Sequence, residues 1–296
     1  MKEKLENLHI GEILENVDVK DYTTFKVSAN VAFLVIPNSV EDLITLVKFL
    51  HQEQIKYKVI GKGSNLIFVN PNYEGVLIKL DKLNHLKIDE NKITVGAGYS
   101  LMKLALEVSN LGYTGMEWAT GIPGSVGGSL VNNAGAYLSD MSKVVTKAKI
   151  LTPEYEIVEY TNKDLAFKYR SSGLQYKNDY ICLEVELFLE KGDKKTIEET
   201  IKNRREKRLA SQPLEYPSAG SIFRNLEGKS AWELIDGLGL KGKKIGDAEV
   251  SQKHANFIIN KGNATGKDIK ELILEIKEQV KKEYDIDLVF EQEFVE

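Results

Sequence analysis

Residues 115–137 read GMEWATGIPGSVGGSLVNNAGAY, a glycine-rich run that one proline, Pro123, interrupts. Because glycine has no Cβ, such a run can take positive φ angles and bring its backbone close to a ligand. Consecutive N–H groups there form a concave anion site suited to a diphosphate, and proline stiffens that geometry. The other interpretation is a plain turn between two strands. The glycines that can take positive φ there are Gly121, Gly124, Gly127 and Gly128.

A second glycine loop lies upstream, at residues 61–66 (GKGSNL), directly after the apolar, strand-like residues 57–60. Its hydroxyl, amide side chain and backbone donors suit phosphate and ribose oxygens. It has neither the Gly-Lys-Ser/Thr of a Walker loop nor the GxGxxG of a dinucleotide-binding Rossmann unit. Lys62 in this loop either reaches a phosphate or points to solvent. Two such loops suit the clamping of one extended ligand, and a long dinucleotide meets that demand.

Composition excludes several classes of protein. A net charge of −4 gives no general attraction to nucleic acid or to an anionic membrane, and no stretch approaches the length needed for membrane insertion. The first 15 residues lack the apolar core of a signal peptide. Cys182 is the one cysteine, which excludes an intramolecular disulfide and fits a reducing cytoplasm. The four histidines show no metal-ligand spacing, so no metal site is expected.

Three further motifs follow the glycine loops: Tyr169-Arg170-Ser171, Ala219-Gly220-Ser221-Ile222-Phe223 and a terminal Glu-x-Glu that ends at Glu293. With the two loops, and in this order, they resemble the UDP-N-acetylenolpyruvoylglucosamine reductase (MurB) family over nearly the whole chain. The resemblance implies a cytoplasmic FAD enzyme of peptidoglycan synthesis, and through it a part in cell-wall biogenesis, cell shape and cell division. The chain between Arg170 and Ser221 is too short and too regular for the added tyrosine loop of one form of the family. The shorter form is therefore expected.

The fold class that the resemblance implies is α+β. It comprises a two-lobed FAD-binding domain of the vanillyl-alcohol-oxidase-like type, followed by a smaller α+β substrate domain. We expect the FAD-binding domain at residues 1–190, with lobes at about 1–74 and 75–190, and the C-terminal substrate-binding domain at residues 191–296. Hydrophobic periodicity predicts an opening amphipathic helix over residues 1–20 and an alternating strand over residues 288–295.

The reaction implied by the resemblance is the reduction of UDP-N-acetylglucosamine enolpyruvate to UDP-N-acetylmuramate. NADPH delivers hydride to the flavin, and hydride then passes from flavin N5 to the vinyl carbon of the substrate. In this family match, Arg170 falls on the arginine that stabilises the substrate carboxylate. Ser221 falls on the proton-donating serine, and Glu293 on the catalytic glutamate. Arg224 is a reasonable contact for a phosphate of the sugar nucleotide.

The expected FAD-binding residues come from both loops and from the end of the second one: Gly61, Lys62, Gly63, Ser64, Asn65, Leu66, Gly121, Ile122, Pro123, Gly124, Ser125, Gly127, Gly128, Asn132, Gly135 and Ala136. Two other classes of protein stay open. A flavin-dependent oxidase or dehydrogenase of another small alcohol would share the FAD lobe without needing the three catalytic residues. A non-catalytic flavin or sugar-nucleotide regulator would need only the glycine loops.

Each catalytic candidate also has a structural interpretation when it is considered alone. Arg170 would be a surface arginine stacked on Tyr169, and Ser221 a turn or cap serine. Two carboxylates on the exposed face of a terminal strand would be ordinary. His254 and Asn256 either line the substrate pocket or make structural hydrogen bonds.

Overall fold

The computed structural model describes residues 1–175, 177 and 179–296. These residues form two compact units, each assembled from several segments of the chain. Unit 1 contains Met1–Glu15, Phe33–Gly61 and Glu74–Glu206. Unit 2 contains Asn16–Ala32, Lys62–Tyr73 and Lys207–Glu296. The chain therefore passes from one unit to the other within the first glycine loop, and the domain boundary at residues 190/191 stays a prediction.

The helices of the described residues are α1 (Lys2–Glu6), α2 (Val40–Gln52), α3 (Leu101–Asn110), α4 (Val126–Val131), α5 (Lys194–Ser211), α6 (Ala231–Gly237) and α7 (Gly266–Tyr284). Short 3-10 helices lie at Val19–Tyr22, Glu117–Ala119 and Met141–Lys143. The strands are β1 (Gly11–Asp18), β2 (Asn30–Pro37), β3 (Tyr57–Ile60), β4 (Leu66–Phe68), β5 (Asn72–Lys79), β6 (Leu86–Asp89), β7 (Lys92–Gly96), β8 (Gly135–Ala136), β9 (Ser139–Asp140), β10 (Val145–Leu151), β11 (Ile157–Thr161), β12 (Ile181–Phe188), β13 (Lys244–Ile245), β14 (Ala248–Val250), β15 (Ile258–Asn260) and β16 (Glu293–Val295).

The first sheet has the strand order β1-β2-β5-β3, and its strands β3 and β5 run parallel with Ile60 opposite Lys79. Helix α2 connects β2 to β3. It begins after Ser39, whose Oγ accepts a hydrogen bond from the Asp42 N–H at 3.1 Å, and this cap satisfies one of the four free donors of a helix N-terminus. The β-α-β unit delivers Gly61 at the carboxyl end of β3, where open α/β sheets bind ligands.

The second sheet of unit 1 is antiparallel, in the order β11-β10-β12-β7-β6. Helix α4 packs against β12 and β7 and so lies on one face of this sheet. Cys182 is buried in β12, and burial raises the pKa of its thiol to about 12. A neutral thiol in an apolar sheet is a packing group, as the alternating pattern around it predicts.

Unit 2 is built around α7, whose apolar stripe is fully buried together with parts of α6 and β14. A capping box starts α7: Thr265 Oγ1 accepts from the Asp268 N–H at 3.1 Å, and the Asp268 carboxylate accepts from the Thr265 N–H at 2.9 Å. The three-stranded sheet β13-β14-β15 belongs to this unit. The parallel pair β16-β4 belongs to it as well, with Glu293 opposite Leu66.

Two sequence predictions about secondary structure are wrong. Residues 1–20 are α-helical only at Lys2–Glu6, and β1 follows, because Gly11 has φ +137° and a Cβ there would collide with the Ile36 carbonyl oxygen. The terminal strand is shorter than residues 288–295. It begins only at Glu293, where the parallel pairing with β4 starts.

The positive φ angles that glycine permits at those four positions of the second loop are not adopted, although Gly115 at the start of that run has φ +105°. The physical reason is packing. A Cβ at Gly127 would lie 2.8 Å from the Ala97 Cβ, and one at Gly128 would lie 3.3 Å from the Ser125 Oγ. These glycines therefore allow the first turn of α4 to approach its neighbours closely in ordinary helical geometry.

Candidate active site

The two glycine loops touch inside unit 1. A Cβ built on Gly61 would lie less than 3.0 Å from the Ser125 Oγ and 3.2 Å from the Ser125 Cβ, so a side chain at this position would force Ser125 to shift. Ser125 is buried and caps α4, where its Oγ accepts a hydrogen bond from the Gly128 N–H at 3.3 Å. The ammonium group of buried Lys79 donates to the Gly61 carbonyl at 3.2 Å. The start of the first loop is thus fixed against the N-terminus of α4, which lies within the second glycine run.

The donors of the second loop fit the diphosphate of FAD. The N–H groups of Val126 and Gly127 donate to the Tyr99 and Ala97 carbonyls at 2.8 and 2.9 Å. By contrast, the N–H groups of Gly124 and Ser125 make no hydrogen bond to another described residue of unit 1. Neighbouring amides left free at the start of a short helix are the donor set that an anion needs.

The first loop offers a similar set within unit 2. Gly63 has φ +61°, and a Cβ there would lie 2.8 Å from the Thr23 Cα, so this position requires glycine. The N–H groups of Gly63 and Ser64 make no hydrogen bond to another described residue of unit 2. Lys62 has an exposed side chain. Both loops therefore carry free backbone donors suited to a dinucleotide cofactor.

The end of the second loop lies beside Arg170 in unit 1. The Arg170 Nη1 donates to the Gly135 carbonyl at 2.6 Å, and its guanidinium carbon lies 5.6 Å from the centre of the Tyr169 ring. Its φ of +55° lies in the left-handed region, which is uncommon for a residue with a side chain. The stacking that the structural interpretation predicts is present, and so is the connection to the predicted FAD loop.

Asn132, another predicted FAD residue, makes two hydrogen bonds within unit 1. Its Nδ2 donates to the Gly128 carbonyl at 3.0 Å, and its Oδ1 accepts from the Gln175 Nε2 at 3.1 Å. These bonds hold the end of α4 in place. Gly135 and Ala136 form β8, which pairs with β9 as a short hairpin.

Ser221 lies in unit 2 on a segment held from two sides. On one side the Ile222 N–H donates to the Asn256 carbonyl, and on the other the Glu291 N–H donates to the Ile222 carbonyl, each at 2.9 Å. Gly220, directly before the serine, has φ +79°. The Ser221 side chain is half-buried, and its hydroxyl has no hydrogen-bond partner among the described residues of unit 2. A fixed backbone thus presents a hydroxyl whose proton is not engaged within that unit.

Asn256 and His254 make structural hydrogen bonds. The buried Asn256 amide donates to the Phe223 carbonyl at 2.8 Å and accepts from the Phe223 N–H at 3.0 Å. The His254 Nδ1 accepts from the Asn256 N–H at 3.2 Å. Burial lowers the pKa of His254, and the charge of Lys241 lowers it further, so the imidazole is neutral and part of the scaffold.

Glu293 begins β16 and is exposed in the structure. Its N–H donates to the Asn65 carbonyl at 2.9 Å, and the Asn65 Nδ2 donates to the Glu291 carbonyl at 3.0 Å. The first glycine loop and the terminal Glu-x-Glu are therefore joined directly. Burial raises the pKa of Tyr73 to about 12, and the negative charge of Glu293 adds to that effect.

Arg224 lies three residues after Ser221 and is half-buried. Its N–H donates to the Val289 carbonyl at 2.9 Å. Its Nε is buried and has no hydrogen-bond partner among the described residues. The structure therefore groups Ser221, Arg224 and Glu293 in unit 2 and Arg170 in unit 1.

Sequence reasoning missed Gln292 and Tyr73. Gln292 is buried between the two glutamates, and its side chain reaches the Ser221 segment. Tyr73 lies in β5 within the electrostatic influence of Glu293. The signal for Gln292 was an amide at a position of the terminal segment that alternation would direct inward. No pattern in the sequence indicated Tyr73.

Comparisons with known proteins identify the family. The FAD binding domain model matches residues 31–161, and the model of the UDP-N-acetylenolpyruvoylglucosamine reductase C-terminal domain matches residues 212–295. The chain is 42% identical to the UDP-N-acetylenolpyruvoylglucosamine reductase of Bacillus licheniformis, over 99% of this chain and 97% of that protein. The corresponding protein of Bacillus subtilis is 40% identical over the same shares. The chain belongs to the UDP-N-acetylenolpyruvoylglucosamine reductase family.

A solved structure agrees with this membership. The UDP-N-acetylenolpyruvylglucosamine reductase (MurB) from Thermus caldophilus is 31% identical, with a TM-score of 0.81 over 96% of this chain and 98% of that chain. The family resemblance and the α+β fold class with an FAD-binding domain are confirmed, and so is the prediction of an FAD-dependent oxidoreductase.

Metal-binding clusters and membrane-spanning helices are both absent from the described residues. No three or more His, Cys, Asp or Glu side chains among residues 1–175, 177 and 179–296 are grouped so that they could hold a metal ion. Within the same ranges, no helix has both the length and the apolar character needed to cross a membrane.

Proposed function

We propose that the protein is the FAD-dependent UDP-N-acetylmuramate dehydrogenase of a cytoplasmic pathway to peptidoglycan. It reduces UDP-N-acetylglucosamine enolpyruvate to UDP-N-acetylmuramate with NADPH as the electron donor, and through this product it serves cell-wall biogenesis, cell shape and cell division. The observation that carries the proposal is the Ser221 hydroxyl, which no described residue of unit 2 engages, on a segment bonded to Glu291 of the terminal Glu-x-Glu. Family membership supplies the reaction class.

FAD is held in this proposal by the free N–H groups of the two loops. The N–H groups of Gly124 and Ser125 in unit 1 suit a phosphate oxygen of FAD, and so do those of Gly63 and Ser64 in unit 2. When bound, FAD accepts hydride from NADPH and delivers it to the vinyl carbon of the substrate. The substrate domain, proposed at residues 191–296, holds the sugar nucleotide, with Arg224 at a phosphate.

The residues of this chain stabilise the charge that hydride addition creates. The carbon next to the substrate carboxylate becomes enolate-like, and negative charge spreads onto the carboxylate oxygens. Arg170 stabilises that charge with a guanidinium that stays protonated at any physiological pH. Glu293 is the second residue that we propose to act at the same carboxylate.

Ser221 completes the reduction by donating its hydroxyl proton to the enolate-like carbon. The product then carries a new C–H bond at each carbon of the former double bond, one from hydride and one from the serine proton. A positioned general acid of this kind contributes about a hundredfold or more to a rate. The serine regains its proton from solvent before the next turnover.

The test separates the two half-reactions. The purified, flavin-loaded protein is reduced anaerobically with NADPH, and in a parallel sample with NADH, while flavin absorbance is followed. UDP-N-acetylglucosamine enolpyruvate is then added, and rapid return of the oxidised flavin bands is the expected result. A flavin that NADPH reduces but this substrate does not reoxidise would show that the protein acts on a different substrate.

Ser221→Ala is the matched variant for this experiment. It should keep FAD and the reduction by NADPH, because the hydroxyl does not contribute to either. Reoxidation by substrate should slow by at least about a hundredfold, the lower end for the loss of a general acid. Reoxidation at the wild-type rate would remove Ser221 from the mechanism and leave the reaction class standing.

A further inference from the structure

We infer that Gln292 is the positioning residue for the Ser221 proton donor. The inference rests on the proposed function, since it assigns a role to a residue that acts through Ser221. Gln292 lies between the two glutamates of the terminal segment, and only 7% of its surface is exposed. Its side-chain amide points away from solvent and toward the loop that carries the serine.

One nitrogen of Gln292 fixes both ends of that loop. The Nε2 donates to the Ala219 carbonyl at 3.0 Å and to the Ser221 carbonyl at 2.5 Å. An amide nitrogen has two hydrogens, so both are used. Gly220, between the two carbonyls, has φ +79°, and this left-handed turn lets the carbonyls converge on one donor. Gln292 thus determines the backbone position of the residue that carries the reactive hydroxyl.

The same residue belongs to the segment of the proposed carboxyl group. The N–H groups of its two neighbours, Glu291 and Glu293, donate to the Ile222 and Asn65 carbonyls, each at 2.9 Å. Ser221 and Glu293 are therefore linked through a single side chain and one peptide unit. Proton transfer to carbon depends on an alignment that a displacement of about 1 Å can degrade a hundredfold. The Gln292 link fixes the position of the Ser221 backbone relative to the segment that carries Glu293.

The other end of the Gln292 side chain supports a role for its donor. The Oε1 is buried and has no hydrogen-bond partner among the described residues. An unpaired buried acceptor is unfavourable for stability. The two hydrogen bonds of the nitrogen offset this cost, and both of them go to the loop that carries Ser221.

The experiment compares Gln292→Met, which keeps the shape and removes both donors, with wild type and with Gln279→Met. Gln279 gives a matched control, because it is in the same unit on α7 and its Nε2 donates to Glu275 at 3.2 Å. In Gln292→Met, reoxidation of reduced flavin by substrate should slow by about 10- to 30-fold, the effect of losing two neutral hydrogen bonds. Reduction by NADPH should stay within about twofold of wild type. An equal loss in both half-reactions, or none, would refute positioning.

A second variant adds a readout that general destabilisation would not change. In Gln292→Glu a carboxylate would face two carbonyl oxygens, so its pKa should be raised above the usual value of about 4.3 for Glu. The protonated acid can donate one hydrogen bond to the loop. The reoxidation rate of this variant relative to wild type should therefore rise as pH falls from about 8 to about 5. A constant ratio would contradict the inference.

Hydrogen exchange gives a readout that does not depend on catalysis. Loss of the two bonds should speed amide exchange in the peptide covering residues 219–224 by about tenfold in Gln292→Met and leave it unchanged in Gln279→Met. Unchanged exchange overturns the inference whatever the activity. If wild-type flavin is not reoxidised by the substrate, the proposed function fails, and faster exchange then supports the loop contact while removing its catalytic role.

Discussion

Replacing Gly61 with alanine tests whether the two glycine loops meet as the structure has them. The new Cβ would lie less than 3.0 Å from the Ser125 Oγ, a separation that real Cβ atoms do not adopt. The clash disturbs the cap of α4, because the same Oγ accepts a hydrogen bond from the Gly128 N–H. Overpacking of this kind costs about 1–3 kcal/mol. Gly61→Ala should therefore destabilise unit 1 and weaken FAD retention.

The sharper form of the prediction is a double-mutant cycle with Ser125→Ala. That change alone removes the cap and should cost about 1 kcal/mol. It also removes the atom with which the new Cβ collides, leaving the Ser125 Cβ at 3.2 Å, a distance that a shift of a few tenths of an ångström relieves. The double variant should therefore be more stable than the sum of the single effects by at least about 0.5 kcal/mol.

Urea unfolding of the apoprotein and fluorescence titration with FAD measure the four corners of the cycle. A change of about 1.4 kcal/mol in binding appears as a tenfold change in the dissociation constant. Additive effects, within about 0.3 kcal/mol, would mean that Gly61 and Ser125 do not touch. The reasoning that joins the two loops would then be refuted, although each loop could still bind FAD.

Three further outcomes are expected. Gly124→Val should abolish FAD retention by blocking backbone approach, measured as the flavin-to-protein ratio after purification; full occupancy would contradict it, with the apoprotein melting curve as the control for folding. Asn256→Ala should lower the free energy of unfolding by about 1–3 kcal/mol, because it leaves the Phe223 N–H and carbonyl unpaired in the core; an unchanged urea midpoint would count against it. The pKa of Tyr73 is about 12 in the folded protein, whereas an unfolded tyrosine ionises at about pH 10. The contribution of Tyr73 to stability is therefore fully present below about pH 10 and lost between about pH 10 and 12. Glu293→Gln should lower the titration midpoint of Tyr73, measured by ultraviolet absorbance, and an unmoved midpoint would show that burial alone raises it.

Local signals predicted much of the fold because they are encoded in neighbouring residues. Strand β3, for example, follows from the apolar, strand-like residues 57–60. The prediction of a helix over residues 1–20 was wrong because of a contact with residues far along the sequence. The sequence near Gly11 has helical amphipathicity, but the glycine starts an extended strand that runs beside the Ile36 backbone, and tertiary contact overrides local preference.

The candidate site divides in the same way. Residue types and their order indicated Arg170, Ser221 and Glu293 through the family resemblance. The contacts that hold them are non-local: Asn65 reaches Glu291 across 226 positions, and Gln292 reaches Ser221 across 71. No spacing rule encodes such pairs, because a loop of that length constrains its ends only weakly. The supporting residues of the site therefore became visible only in three dimensions.

The parallel pairing of β4 with β16 has a consequence for how the protein is made. Residues 66–68 leave the ribosome early, yet their strand partner at residues 293–295 is made only after the last segment of unit 1. Asn16–Ala32 of the same unit are made earlier still. Unit 2 therefore cannot complete its packing until residues 293–295 have been made, and its early segments wait for them. The pairing of these strands also joins the first glycine loop to Glu293, so the packing of unit 2 and the placement of that glutamate are completed in one step.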